Sequence, residues 1–425
     1  MAVVGINTPG LSLGNWLMIA PLSLIGYLLS HVCFNVFFHP LRKYPGPFWM
    51  GASRISYCYR LVTGRLPFDI LELHRQYGEV VRIAPNELVF ANAQAWKDIM
   101  GHRGPGEPEM QKAPQMYNVL KDQPPTIVNA ARVEHGRLRR QLAHGFSDRS
   151  MREQQPIIIG YVNLLIRQLH EKCEGGKRAL DAVAWYNYTT FDVIGDLAFG
   201  EPFGSLQSGE YHPWIAMIFQ SIKIGTLFQS AGFFPWIKTA LMKSIPKSRM
   251  KTREQHLKLT KEKLLKRMDL GSERNDLIEG LLRKKDDLNL DFIDSKKIGR
   301  LQMNTSLLII AGSETTATLL SGVTYLLTTN PEALRRLTEE VRSTFQTEEE
   351  IDFTSTVVSQ YHYALYHNER FFAKPQEFHP ERWLGDPEFA TDDRDVFREF
   401  LAPMKYGFFE SLLLPLVKTN TISTF

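Results

Sequence analysis

Leu307-Leu308-Ile309-Ile310-Ala311-Gly312-Ser313-Glu314-Thr315-Thr316-Ala317-Thr318-Leu319-Leu320 says more about this chain's fold than any other run of residues. Its apolar flanks predict a buried helix. The centre breaks the pattern in three ways. A glycine inside a helix costs roughly 1 kcal/mol against alanine. A carboxylate in an apolar helix is costly to bury unless something compensates it. Small residues let a flat ligand come close to the backbone. Glu314 and Thr315 together offer an acid and an alcohol, the two groups that proton delivery needs.

On either side of this centre the apolar period runs from Ser295 to about Thr328, the longest such run of the chain, which predicts a helix of about 50 Å at 1.5 Å per residue. Asn330-Pro331-Glu332 then carries the signals of a new helix, with Asn at the N-cap, Pro at the first helical position and an acid in the first turn. Leu334, Leu337, Val341 and Phe345 give it one apolar face. Upstream, Ala182 to Phe199 reads as a helix stopped by Gly200, and Arg253 to Arg267 as a charged amphipathic helix with a solvated surface. Glu79 to Phe90 reads as a hairpin whose short β-branched runs flank a Pro85-Asn86 turn. The fold class predicted is mainly α with a small β region near the N-terminus.

Leu17 to Phe38 carries no Lys, Arg, Asp or Glu and has the length a bilayer core requires. Arg42 and Lys43 come just after it, which by the positive-inside rule predicts a single span with a cytosolic body. A cleaved signal peptide fits less well, because no basic region precedes the stretch and no small-residue cleavage site ends it. His39 to Pro47 holds three prolines and predicts a stiff, extended connector. The organisation expected is a lumenal N-terminus (1–16), an anchor (17–38), a hinge (39–50), a body (51–400) and a tail (401–425).

Of 425 residues, 44% are hydrophobic and 23% charged, which makes a globular body rather than a disordered chain. A net charge of +4, with no basic patch interleaved with aromatics, gives no case for nucleic acid. Three cysteines, Cys33, Cys58 and Cys173, are too few and too scattered for a disulfide framework or a zinc site and suit a reducing, cytosol-facing compartment.

Taken together these residues resemble a cytochrome P450 of the membrane-anchored fungal kind. Ala311-Gly312-Ser313-Glu314-Thr315-Thr316 is similar to the family's (Ala/Gly)-Gly-x-(Asp/Glu)-Thr-(Thr/Ser) oxygen-activation motif. The resemblance implies Glu314 and Thr315 as the proton relay, with Ala311, Gly312 and Thr316 beside oxygen and substrate. Glu134 to Arg140 resembles the helix whose Trp-x-x-x-Arg pattern meets a haem propionate, which implies His135 and Arg139 as cofactor contacts. An arginine suits a carboxylate because its guanidinium donates two parallel hydrogen bonds. Phe378-His379-Pro380-Glu381-Arg382-Trp383 is similar to the segment before the haem loop and implies Glu381 and Arg382 as structural residues near the haem. Phe191-Asp192-Val193-Ile194-Gly195-Asp196-Leu197-Ala198-Phe199-Gly200 looks like the clade of trichothecene and polyketide hydroxylases. The resemblance implies a P450 fold with haem b and an NADPH-dependent P450 reductase as electron donor. It also implies a lipophilic secondary metabolite as substrate, and a single-pass protein of the endoplasmic reticulum.

Two pieces of the family pattern are missing. The haem loop, Phe-x-x-Gly-x-Arg-x-Cys-x-Gly, has no counterpart in Phe397 to Phe408, and no cysteine comes after Cys173, so no residue is expected to ligate the iron as a thiolate. That thiolate is what pushes electron density onto the iron. The Glu-x-x-Arg helix is also absent from its place: Glu339-Glu340-Val341-Arg342 has the letters but lies too early. Gln360 runs directly into Tyr361-His362-Tyr363, which resembles family sequence from further on, as though about fifty residues were skipped. The alternatives that stay open are a non-catalytic, membrane-tethered binding protein on the same fold, and a multi-span membrane protein using Leu301 to Leu327 as a second span.

Overall fold

The computed structural model describes residues 13–347, apart from 118–123, 271–273, 280–294 and a few single positions, and then short pieces between 369 and 392. The expected discontinuity at Gln360, the residue Glu381, the segment Phe397 to Phe408 and the tail lie outside the described residues.

The chain divides into two compact units at Met110/Gln111. The first begins with α1 (Leu13–Cys33), which continues through a π-helical turn, Phe34–Phe38. Part of the expected extended hinge is instead a 3₁₀ turn, Pro40–Lys43, closed at its start by the His39 ring, whose Nδ1 accepts from Leu41 N–H at 3.1 Å. Proline fixes the backbone angle that a first helical position needs, so here it opens a turn. His39, Tyr44 and Pro47 keep the extended angles expected of the connector. Three helices come next, α2 (Phe48–Ala52), α3 (Ile55–Val62) and α4 (Leu66–Tyr77), the last ended by Gly78 at φ 91°. β1 (Val80–Ala84) and β2 (Glu87–Phe90) form the hairpin read from the sequence, antiparallel with Val81 opposite Val89 and an irregularity between Arg82 and Ala84. α5 (Ala93–Met100) is capped by Asn92, whose side chain accepts from Ala95 N–H at 2.6 Å.

The second unit is helical among its described residues: α6 (Pro114–Tyr117), α7 (Arg132–Leu142), α8 (Asp148–Lys172), α9 (Ala182–Phe199), α10 (Ser205–Ser208), α11 (Pro213–Gly232), α12 (Pro235–Lys243), α13 (Lys247–Asp269), α14 (Ser295–Thr329) and α15 (Pro331–Thr344). α9 and α14 form its spine. α9 starts at the Asp181 cap and stops at Gly200, which takes the left-handed φ of 74° that glycine adopts without strain. It is buried on nearly every side, which explains why its sequence is apolar all round rather than striped. One core cluster gathers Phe191, Leu197, Phe199, Trp214, Leu264 and Ile309; a second gathers Leu165, Trp185, Tyr186, Leu206, Leu320 and Val341. The Tyr186 and Thr324 hydroxyls meet at 2.8 Å and tie α9 to α14 inside that second cluster.

Two sequence expectations change here. α13 is longer than Arg253–Arg267 and is not solvated all round: Thr260, Leu264 and Arg267 are fully buried on one face. Asn330 does not cap α15 with its side chain; its amide donates back to the Leu326 carbonyl at 2.7 Å. Pro331 leaves one fewer N–H to satisfy there.

Two described segments are long and apolar enough to cross a bilayer, Pro21–Phe38 and Gly299–Thr329. The second is a core helix of its unit. Ile309, Ala317 and Leu320 are buried at 0–1% exposure. Two of its polar residues bond neighbouring elements, with Asn304 accepting from Ile127 N–H at 2.9 Å and Gln302 donating to the Leu257 carbonyl at 2.5 Å.

Candidate functional site

The six motif residues on α14 point in different directions, as about 100° per residue requires. Ala311 and Thr315 lie on an exposed face, which continues at helical spacing through Thr318, Gly322 and Tyr325. The Thr315 hydroxyl donates to the Ala311 carbonyl at 2.6 Å, one turn back. Ser313 does the same toward Ile309 at 2.7 Å on the buried side. Such back-bonds compete with the helix ladder and bend it slightly. The hydroxyl of Thr315 is therefore turned away from Glu314, and the acid–alcohol pair is adjacent in sequence without being joined.

Glu314 is half-buried. No hydrogen bond or ion pair holds its carboxylate among the described residues, and burial pushes its pKa up. Its charge in turn helps raise the pKa of Tyr211. A carboxyl whose folded pKa lies above its unfolded value binds its proton more tightly in the fold, so stability falls as pH rises from the unfolded value through the folded one. Glu314→Gln should therefore melt higher than the parent well above pH 4.5 and match it well below. Thermal melts at the two extremes check this.

Gly312 serves packing. A Cβ there would stand 2.8 Å from Ile194 Cδ1 and 3.0 Å from its Cγ1, so the missing side chain is what lets α9 close on α14. Thr316, half-buried, is one turn further along that side. Gly312→Val should cost about 1–3 kcal/mol by overpacking. Ile194→Ala in the same chain should recover part of it, a coupling that a double-mutant cycle reads directly.

His135 and Arg139 lie one turn apart on α7, the first half-buried and the second exposed. Leu138 and Leu142 seat the helix in the core, and Glu134 pairs with Arg300 of α14 at 3.3 Å. Arg382 is buried, with its guanidinium 4.6 Å over the Phe389 ring.

Sequence reading missed the work done by the segment from Phe191 to Gly200. Asp192 is buried and accepts three backbone N–H bonds: Phe203 at 3.0 Å and Ser205 at 3.2 Å on Oδ1, and Leu206 at 2.9 Å on Oδ2. Burial raises its pKa against the pull of those N–H groups. Gly195 leaves room for the Phe203 ring, which stacks on Phe191 with centroids 4.1 Å apart. Asp196 accepts from the Tyr161 hydroxyl at 2.7 Å and pairs with Arg274. Glu153, Tyr161, Asp196 and Arg274 also border an open cleft of about 580 Å³, to which no residue of the oxygen-activation motif on α14 contributes. Phe191, Asp192, Gly195 and Asp196 of this signature thus each have a structural use.

Residues 58–356 match the family model described as Cytochrome P450. Among curated proteins, the chain is 38% identical over 423 residues to "Cytochrome P450 monooxygenase prhB" of Penicillium brasilianum, covering 89% of this chain and 85% of that one. It is 39% identical over 411 residues to "Cytochrome P450 monooxygenase astA" of Talaromyces wortmannii, covering 86% and 82%. It is 36% identical over 425 residues to "Trichothecene C-15 hydroxylase" of Fusarium sporotrichioides, covering 88% and 84%. The class is that of the haem-dependent monooxygenases, and the chain belongs to the cytochrome P450 family.

The family implies a haem iron, and the donor set of this chain does not fit one held by a thiolate. Cys33 ends α1, Cys58 is buried in the first unit, and Cys173 closes α8 with its Sγ 3.4 Å from the His170 carbonyl. No cysteine comes later in the sequence.

Proposed function

We propose that this chain carries the scaffold of a membrane-tethered monooxygenase that oxidises a lipophilic polyketide or terpenoid in fungal secondary metabolism. An NADPH-dependent P450 reductase on the endoplasmic reticulum would supply its electrons, with the body on the cytosolic side. The observation that carries this reading is the α9–α14 pair: a P450-type oxygen-activation motif lies on a core helix that presents a small-residue face, Ala311 and Thr315, to the outside of its packed unit. The relatives support the substrate class through the activity for which the trichothecene C-15 hydroxylase is named.

The chain as it stands lacks the residues for thiolate–haem chemistry, and we place the cause at two points, an internal loss near Gln360 that takes the Glu-x-x-Arg segment and a read-through after Phe400 that replaces the cysteine loop. The family match ends at residue 356, just before the first of them. The alignment to the trichothecene hydroxylase runs over 425 residues while taking up 88% of this 425-residue chain, so about fifty positions of the relative have no counterpart within it. Sequencing the transcript across Gln360–Tyr361 and past Phe400 tests this. A transcript containing a Glu-x-x-Arg segment and a cysteine loop supports the monooxygenase reading. One that encodes the chain unchanged favours a second reading, a membrane-tethered binding protein, which the missing cysteine also supports.

A further inference from the structure

Arg82, on β1, is a buried cation at 5% exposure, and among the described residues no carboxylate pairs with it. Its guanidinium donates to backbone carbonyls instead. Nη2 reaches Asn35 O at 3.0 Å and Pro85 O at 2.6 Å, and Nε reaches Pro85 O at 3.1 Å. Asn35 lies in the π turn that ends the apolar helix, yet it is 3% exposed and its side-chain amide donates to the Ala52 carbonyl at 2.9 Å. The main chain of Arg82 is engaged as well, its N–H donating to Pro45 O at 2.7 Å. Gly46 lies so close to the Arg82 carbonyl that any side chain there would collide with it, and a Cβ on Gly51 would touch the guanidinium at 3.5 Å. One residue thus ties together the end of the apolar helix, the proline turn, α2 and the hairpin.

Around this junction the surface is apolar and open. Phe37, Phe38, Phe48, Trp49, Ile55 and Tyr59 are 56–73% exposed, and Phe48 and Trp49 meet edge to face at 5.1 Å. Arg42 and Lys43 are exposed between them in sequence. Aromatic rings beside basic residues are what a bilayer interface favours. The 21 residues of α1 rise about 31 Å, close to the thickness of a hydrocarbon core. The lipid-facing stretch then ends near Cys33, and the aromatic residues begin at once.

We propose that Arg82 is a positioning residue that clasps the end of the membrane anchor, and that in doing so it holds the aromatic face of α2 and α3 against the lipid surface. The occupant of that face is the bilayer itself, by continuity with α1; the proposal rests on reading α1 as the anchor. A free tether would let the body tumble, whereas a clasped one fixes the angle at which the helix leaves it.

The test uses the full chain in phosphatidylcholine vesicles containing lipid brominated at shallow acyl positions. The share of tryptophan quenching that disappears in Trp49→Phe reports Trp49 at the interface. That share should be clear in the parent and fall at least twofold in R82Q, with R82K in between, while every variant stays resistant to alkaline extraction. Asn35→Ala, which removes the side-chain bonds to Ala52 and His31 and leaves the main-chain carbonyl that Arg82 holds, should shift it in the same direction and guards against misfolding of R82Q. Extraction of the parent by alkali would defeat the anchor reading itself. Resistance to extraction with no Trp49 signal would overturn the bilayer as occupant and favour a protein partner. A Trp49 signal unchanged in both R82Q and Asn35→Ala would overturn the clasp.

Discussion

Arg267→Ala should destabilise the second unit by on the order of 3–5 kcal/mol, among the largest losses expected from a single substitution in this chain. Arg267 and Asp276 are both fully buried, with Nε 2.5 Å from Oδ2. Removing the guanidinium leaves the buried carboxylate with only the partly exposed Arg274, Nε 3.6 Å from Oδ2, as a cation. Asp276 cannot turn away, because its Oδ1 also accepts from Ile278 N–H at 3.1 Å and Glu279 N–H at 2.9 Å. The expected rescue is specific. Asp276→Asn added to Arg267→Met keeps an acceptor for those two N–H groups and removes both charges, so the double variant should lose much less than Arg267→Ala. Urea unfolding of the full chain in detergent, followed through the midpoint, measures both.

Asp192→Ala should cost about 3 kcal/mol or more, since each buried N–H left without an acceptor costs roughly 1–3 kcal/mol and three would be stranded. The damage should be local at first. The N–H groups belong to Phe203, Ser205 and Leu206, which shape the entry to α10, so hydrogen exchange there should accelerate before α9 opens. Asp192→Asn retains Oδ1 for two of the three bonds and should lose about half as much. Exchange rates unchanged around residues 203–206 in Asp192→Ala would show that the carboxylate does not hold this turn.

These two residues also show where sequence reading stops. α9, α14 and the hairpin could be read from local signals: an apolar run closed by Gly200, a long period without breakers, and two β-branched strands around Pro85-Asn86. The partners of Arg267 and Asp192 lie 9 to 14 residues away along the chain, beyond a helix end, and no local pattern encodes them. For the same reason α13 read as solvated, since the charge that looked outward on a helical wheel is neutralised by a loop. At the site, the motif itself was plain. What stayed hidden was direction: Gly312 faces Ile194, Thr315 bonds its own helix, and Glu314 sits apart from it. Helix phase is visible in a sequence, but which neighbour each face meets is settled by packing.

Whether this P450 scaffold has lost its thiolate ligand is decided by the reduced, carbon-monoxide-bound spectrum of the full chain after reconstitution with haem. No thiolate-type band is expected from the chain as it stands, because no cysteine lies beyond Cys173, and a thiolate-type band is expected once the skipped segment and a cysteine loop are restored. A thiolate-type band from the unaltered chain would contradict the loss.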